Sequence, residues 1–306
     1  MATSLSEHGD SPAVAPGAAT IAAGRRPSLR RARRRPAARR VRAALLRPEP
    51  YLGLLGVALL IGAWYLAVEG LALSRFDSLP GPVAVWNEWI SHDPVYGTSL
   101  FTHDYRVDVW VSLRRVLIAF AASLALGVPL GLALGWSRRF RELTFPILEL
   151  IRPIPILAWV PLAILMFPRG EIPVLYLTFL ASFFVVTLNT LLGVRSVDPD
   201  LVRAARSLGA GRREVFRTVI VPGSMPYVVT GLQIAMGVAW FSLVAGEMIA
   251  GQSGLGYLIN YSYTTTKYPT IVIGMLTLGV VGWASSAAVR ALGNRLLPWR
   301  AAEARA

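Results

Sequence analysis

The chain has 306 residues, of which 54% are hydrophobic and only 16% charged, with a formal net charge of +14 and no cysteine. Soluble domains carry nearer a quarter charged residues, so this composition and a mean hydropathy of +0.52 point to a membrane protein. The lack of cysteine excludes disulfides, thiolate metal sites and cysteine nucleophiles.

The first 50 residues form a basic tail. Residues 1–47 are rich in Ala, Pro, Ser and Arg, with eleven arginines between Arg25 and Arg47, and are expected to be disordered. Beside an apolar run such charge marks a cytoplasmic side and attraction to anionic lipid. A nucleic-acid role finds no support, because no aromatic residue or folded module accompanies the charge. The first apolar run begins only at Tyr51 and no A-x-A site follows it, so a cleaved signal is not expected. No short apolar stretch closely follows Arg25-Arg26 either, which argues against a twin-arginine signal.

Six apolar runs follow: Tyr51–Leu73, Val109–Trp136, Leu143–Phe167, Ile172–Val194, Tyr227–Ala250 and Pro269–Leu292. Each is near the ~20 residues that cross a bilayer, so six transmembrane helices are expected within an all-α domain over 51–298, followed by a tail at 299–306. The third run contains Pro153, Pro155 and Pro161, and only Pro168-Arg169-Gly170-Glu171 separates it from the fourth. Arginines cluster before the first run, after the second, in the 195–225 loop and after the sixth, which places both termini in the cytoplasm if each run crosses once. Gly127, Gly131 and Gly135 make a small-residue ridge on the second run, suited to close packing within the subunit or to a dimer seam.

Charges within the runs are costly, at roughly 2.5–3.5 kcal/mol each on insertion scales, and so face protein or water. Glu149 and Arg152 share a face at i and i+3 in the third run. They read either as an internal pair bracing a proline-broken helix or as the source of positive potential on an anion pathway, with Arg152 supplying the charge. Thr187, Asn189 and Gln233 fit interhelical hydrogen bonds or, as the second reading, ligand contacts. Glu247, near the outer end of the fifth run, fits a gate, a contact to an external protein, or a place among the headgroups. His8, His92 and His103 form no ligand cluster, so no metal is expected.

The 195–225 loop carries the strongest pattern. Asp198-Pro199-Asp200 supplies an N-cap, a proline for the first turn and an acid near the helix N-terminus. Leu201, Ala204, Ala205 and Leu208 share one face, and Gly209 fits the stop of a short helix. A second segment is expected from Arg212 to Ile220, ending at Pro222, with Val215, Phe216 and Val219 on its apolar side. Amphipathicity alone also fits a hairpin lying on the bilayer.

Ala204-Ala205, Gly209 and Val219-Ile220-Val221-Pro222 fall at the spacing E-A-A-x3-G-x9-I-x-L-P, with Arg203 in place of the Glu and valines in place of Ile and Leu. In this the chain resembles the permease subunit of a binding-protein-dependent ABC importer. Leu79-Pro80-Gly81-Pro82, Ser112-Leu113-Arg114-Arg115-Val116, Gly246-Glu247-Met248 and Gly254-Leu255-Gly256-Tyr257-Leu258-Ile259 look like the nitrate/sulfonate/taurine branch, over about residues 51–298. The resemblance implies a type I importer transmembrane domain in the cell inner membrane. Its loop would be a coupling element through Arg203, Ala204, Ala205, Leu208, Gly209, Arg212, Phe216 and Pro222. It also implies an ATPase dimer holding ATP and magnesium, an extracytoplasmic binding protein, a second permease copy and a small anionic cargo such as nitrate, a sulfonate or taurine. The chain has no G-x-x-x-x-G-K-[ST] loop, so ATP hydrolysis falls to a separate chain and no cofactor is expected on this one. A secondary transporter would show an internal repeat, and an intramembrane enzyme a nucleophile–base pair or metal cluster; neither pattern is visible.

Overall fold

The computed structural model describes residues 48–71, 78–168 and 170–297. The basic tail over 1–47 and the C-terminal tail over 299–306 lie outside them. The chain divides into two units, Met1–Val57 and Ala58–Ala306. Of the first, only the opening turns of helix α1 are described, with the side chains from Tyr51 to Val57 exposed.

No strand occurs among the described residues; every regular element is helical. Helix α1 (Pro48–Tyr65) continues through a wide π turn to Gly70, and α2 (Pro82–Ile90) begins on a proline. Two long helices, α3 (His103–Trp136) and α6 (Ile172–Arg195), flank the short α4 (Arg138–Ile151) and α5 (Val160–Met166). Next come α7 (Pro199–Ser207), α8 (Arg212–Val215), α9 (Val221–Ala250), α10 (Leu255–Thr264) and α11 (Tyr268–Leu296).

Helix α6 is the structural axis, because both neighbours press close to it. On one side runs α3: Ser123 Oγ and Ser182 Oγ are 2.6 Å apart. A methyl group placed on Gly131 would lie 2.6 Å from the Thr187 carbonyl oxygen. The Gly127–Gly135 ridge therefore serves packing within the subunit, where backbones can meet only if no Cβ intervenes. On the other side runs α9 in the opposite direction: Gly193 packs near Ser224 and Gly246 near Val174. Ser242 Oγ donates to the Leu177 carbonyl across this seam at 3.0 Å. Apolar side chains from all three helices, among them Val116, Val174, Met236 and Leu243, fill the core.

Five helical stretches are long and apolar enough to span a bilayer, at Tyr51–Gly70, His103–Trp136, Ile172–Arg195, Arg212–Ala250 and Tyr268–Arg295. The third expected span is not one rod. Arg138–Ile151 and Ile156–Met166 meet at 87°, and the pair makes a sixth span only if counted together. Pro153 and Pro155 lie at the break, where two missing N–H groups and ring clashes stop the helix.

The second helix of the 195–225 loop also differs from expectation. It does not end at Pro222 but runs unbroken from Arg212 to Ala250. The π turn at Phe216–Ile220 explains this: the Val221 N–H bonds back to the Phe216 carbonyl, and the widened turn carries the chain past a proline that has no N–H to give. The stretches between the spans hold helices too. Glu88 of α2 turns inward and accepts from the Val95 and Tyr96 amides at 3.0 and 2.7 Å, tying down the turn that follows. Helix α10 was hidden by its short length and tyrosine-rich sequence, LGYLINYSYT.

Candidate functional site

The knob between α6 and α9 is built from local signals that the sequence spells out. Asp198 caps α7, its Oδ1 accepting from the Asp200 amide at 2.8 Å. At the other end Gly209 adopts φ +87°, the left-handed conformation that glycine enters without a Cβ penalty. The Gly209 N–H donates to Arg206 O (2.9 Å) and the Ala210 N–H to Ala205 O (3.1 Å), a Schellman stop that satisfies two carbonyls at the helix end.

One side of the knob is anchored. Val202, Ala205 and Ala210 pack on a core of Val194, Val215 and Ile220 together with Trp136 from the end of α3. The Trp136 ring lies 5.3 Å from Phe216, and the Arg212 guanidinium sits 5.5 Å over the same ring. The other side is bare. Leu201 is 57% and Leu208 89% exposed, with Ala204 exposed between them. Burying such residues is favourable by roughly 25 cal/mol per Å² of apolar surface, so this stripe is a ready contact for another chain.

The eight residues expected here thus divide by place. Leu208, Ala204 and Gly209 face outward, and Arg203 pairs with Asp200 on the exposed surface. Ala205, Arg212 and Phe216 hold the knob to the bundle. Pro222 lines a groove of about 440 Å³ with Leu201, Thr218, Val219 and Gly223, beside the stripe.

Of the intramembrane candidates, Glu149 and Arg152 are brought together, their charged atoms 3.6 Å apart and each side chain about half exposed. Arg152 and the bend at Pro153–Ile156 line a pocket of about 270 Å³ walled by Phe184 and Leu188 of α6 and Val238 of α9. Asn189 and Thr187 do not form the expected interhelical hydrogen bonds. Asn189 Nδ2 donates to the Val185 carbonyl of its own helix at 2.8 Å, and the buried Thr187 Oγ1 has no partner among the described residues. Gly231 of α9 packs against this side chain so closely that a Cβ there would meet the Asn189 Cβ. Gln233 is half-buried on α9. Glu247 stands about 21 Å further along the same helix, at ~1.5 Å per residue.

Glu247 is fully buried, and sequence reasoning missed its partners. Its carboxylate accepts from Ser112 Oγ (2.9 and 2.8 Å), from Arg115 at 2.8 Å and from the Gly256 amide at 2.9 Å. Arg115 also donates to the Ser253 carbonyl (2.7 Å) and lies 3.2 Å from Glu171, which in turn is 2.7 Å from Arg114. Burial acts to raise the Glu171 carboxyl, but Arg115 and Arg114 outweigh it and hold it below the usual carboxylate range. Two signals pointed here: a Ser and an Arg three residues apart near the start of an apolar run, and a Glu near the end of another.

Residues 127–301 match the family described as binding-protein-dependent transport system inner membrane component. A probable ABC transporter permease protein of Brucella abortus (strain 2308) is 39% identical over 249 residues, covering 81% of this chain and 95% of that one. The chain belongs to the ABC transporter permeases. Taurine transport system permease protein TauC of Escherichia coli (strain K12) is 35% identical over 246 residues, covering 79% of this chain and 87% of that one. Permeases named for nitrate import and aliphatic sulfonates are also relatives, so this permease sits in the nitrate/sulfonate/taurine branch. Its fold is that of type I importer transmembrane domains: a MetNI methionine ABC transporter in an inward-facing conformation superposes with TM-score 0.52 at 18% identity, covering 63% of this chain and 94% of that one. It is a multi-pass inner-membrane component.

Proposed function

We propose that this permease is the membrane path of an ATP-driven importer for a small anion, with the knob at 198–216 as the part that an ATPase subunit grips. The observation that carries this reading is the two-sided knob. A Schellman-stopped helix is bolted to α3, α6 and the 212–250 helix through Trp136, Val194 and Val215, while Leu201, Ala204 and Leu208 stand uncovered. Such a part passes on force applied to its bare face, because α8 and α9 form one continuous helix from Arg212 to Ala250. The arginines of this loop support a cytoplasmic position for it, where ATP is, with the Glu247 end of α9 then on the outer side, towards a binding protein.

Cargo follows from the branch and from Arg152. Relatives are named for taurine, nitrate and aliphatic sulfonates. A guanidinium beside a small pocket at a break in the helices supplies positive potential where an anion would pass. A second copy of the chain would close the path on its open side.

The test is uptake into vesicles holding the permease with its ATPase and binding protein. Uptake is expected only with all components and ATP, and to be lost on replacing Leu208 and Leu201 with Asp. Solute movement by the permease alone, without ATP, would overturn the reading.

A further inference from the structure

The end of the bundle far from the knob holds more fixed polar geometry than packing needs. Arg115 is 2% and Glu247 0% exposed, so both charges are withdrawn from water and held only by each other and by near neighbours. Those neighbours come from four separate elements. Ser112 and Arg115 lie on α3, Glu171 stands just before the first turn of α6, Glu247 is in the last turn of α9, and Ser253, Gly254 and Gly256 lead into α10. The turn is stapled twice more: Asp108 accepts from the Gly254 amide at 2.7 Å, and Ser112 Oγ accepts from the Leu255 amide at 2.8 Å. Gly254 has φ +107°, and a Cβ there would fall on the Glu247 carboxylate. The turn therefore fits in one position only.

We propose that Arg115 and Glu247, with Ser112 and the 253–256 turn, are positioning residues that clamp α3, α6, α9 and α10 into one unit at this end, so that movement of the knob is delivered across the membrane instead of being absorbed locally. The inference rests on the permease reading above and adds to it the residues that keep its far end rigid. Its physical basis is that a desolvated ion pair is strongly directional: either partner left alone is a buried, uncompensated charge. The clamp opens all at once or not at all. Because α9 carries both the knob and Glu247, a clamped far end turns displacement at one end of the helix into displacement of the whole block, whereas a loosened one lets α9 slide against α3 and α6.

The test is the ratio of solute taken up to ATP hydrolysed by the assembled transporter in proteoliposomes, for wild type, Glu247→Gln and Arg115→Lys. Glu247→Gln keeps the shape and most hydrogen bonds but removes the charge that Arg115 needs. Uptake per ATP is expected to fall at least tenfold while hydrolysis stays within about twofold and the complex elutes intact. Arg115→Lys, which keeps the charge and loses the second arm, should lie between the two. Uptake and hydrolysis falling in equal proportion, or an unchanged ratio, overturns the clamp. If Glu247→Gln fails to assemble, Glu171→Gln decides by the same ratio, since it loosens Arg115 from the partly exposed side; a fall supports the clamp and no change overturns it. Wild-type uptake that proceeds without ATP instead sinks the permease reading, so the two failures are distinct.

Discussion

Replacing Gly209 with valine isolates what the knob contributes, because the structure separates strain from clash. A Cβ at position 209 meets nothing within 4 Å, so the substitution displaces no neighbour. Its whole cost is backbone. Holding an L-residue at φ +87° costs roughly 1–3 kcal/mol, towards the upper end for a β-branched side chain. The chain can instead relax to negative φ and give up the bonds from Gly209 and Ala210 to Arg206 and Ala205, each worth about 0.5–1.5 kcal/mol net. Both routes come to about 2 kcal/mol, which is on the order of 30-fold in the population of the fastened knob. Nothing in the membrane region is touched, so insertion and dimer assembly should persist. The expected result is faster amide hydrogen exchange over 204–210 and a loss of transport-coupled ATP hydrolysis. Gly209→Asn should keep most of both, because Asn tolerates the left-handed region. A valine variant with wild-type exchange and full coupling would refute both the energetic reasoning and the docking role.

The α3–α6 seam gives a second expectation. Gly131→Ala pushes a methyl into the Thr187 carbonyl and should lower stability by about 1–3 kcal/mol, whereas Gly279→Ala, inside α11 with nothing within 4 Å, should leave the melting temperature in detergent equal or higher. Glu171 gives a pH dependence. Its folded pKa lies below its unfolded value of about 4.3, so its contribution is complete above that pH and is lost as pH falls through the lower folded value. The melting temperatures of wild type and Glu171→Gln should therefore differ above about pH 4.3 and converge as the pH falls below it, and a gap that persists unchanged removes the ion-pair account. For Arg152→Ala, the half-exposed pair with Glu149 predicts a stability change under about 1 kcal/mol and a raised KM for anionic cargo. An unaltered KM would leave Arg152 only as the helix-end partner of Glu149.

What could be read from the sequence was whatever a few adjacent residues determine. Asp198, Pro199 and Gly209 specify the start and stop of α7 within a dozen positions, because caps and positive φ are local requirements. The apolar runs marked the spans for the same reason. The third run was legible in both respects: its apolar content marked a span, and Pro153 and Pro155 marked the break in it, although only the structure gives the 87° of the turn. Pro222 misled. Proline usually ends a helix, but the π turn just before it relieves the conflict, and no residue pattern in RREVFRTVIVP announces such a turn.

The Glu247 site was illegible for a different reason: its two charges are 132 positions apart, and only the antiparallel run of α9 against α3 and α6 brings them together. In the sequence Arg115 stood only within the Ser112–Val116 branch motif, and Glu247 read as a gate, a contact to an external protein or a charge among the headgroups. Each would be expensive where it stands, and the expense itself was the usable clue. A Ser–x–x–Arg beginning one span and a Glu ending another, in a chain with few charges to spare, is a demand for partners that only tertiary contact can meet. The knob and this site then divide the labour of a single helix. The knob end is anchored by apolar packing and a cation–π contact, while the far end is held by a buried ion pair and backbone amides. Because one continuous helix joins the two ends, a push on the anchored knob would reach the Glu247 end without being absorbed between them, as the proposed coupling needs.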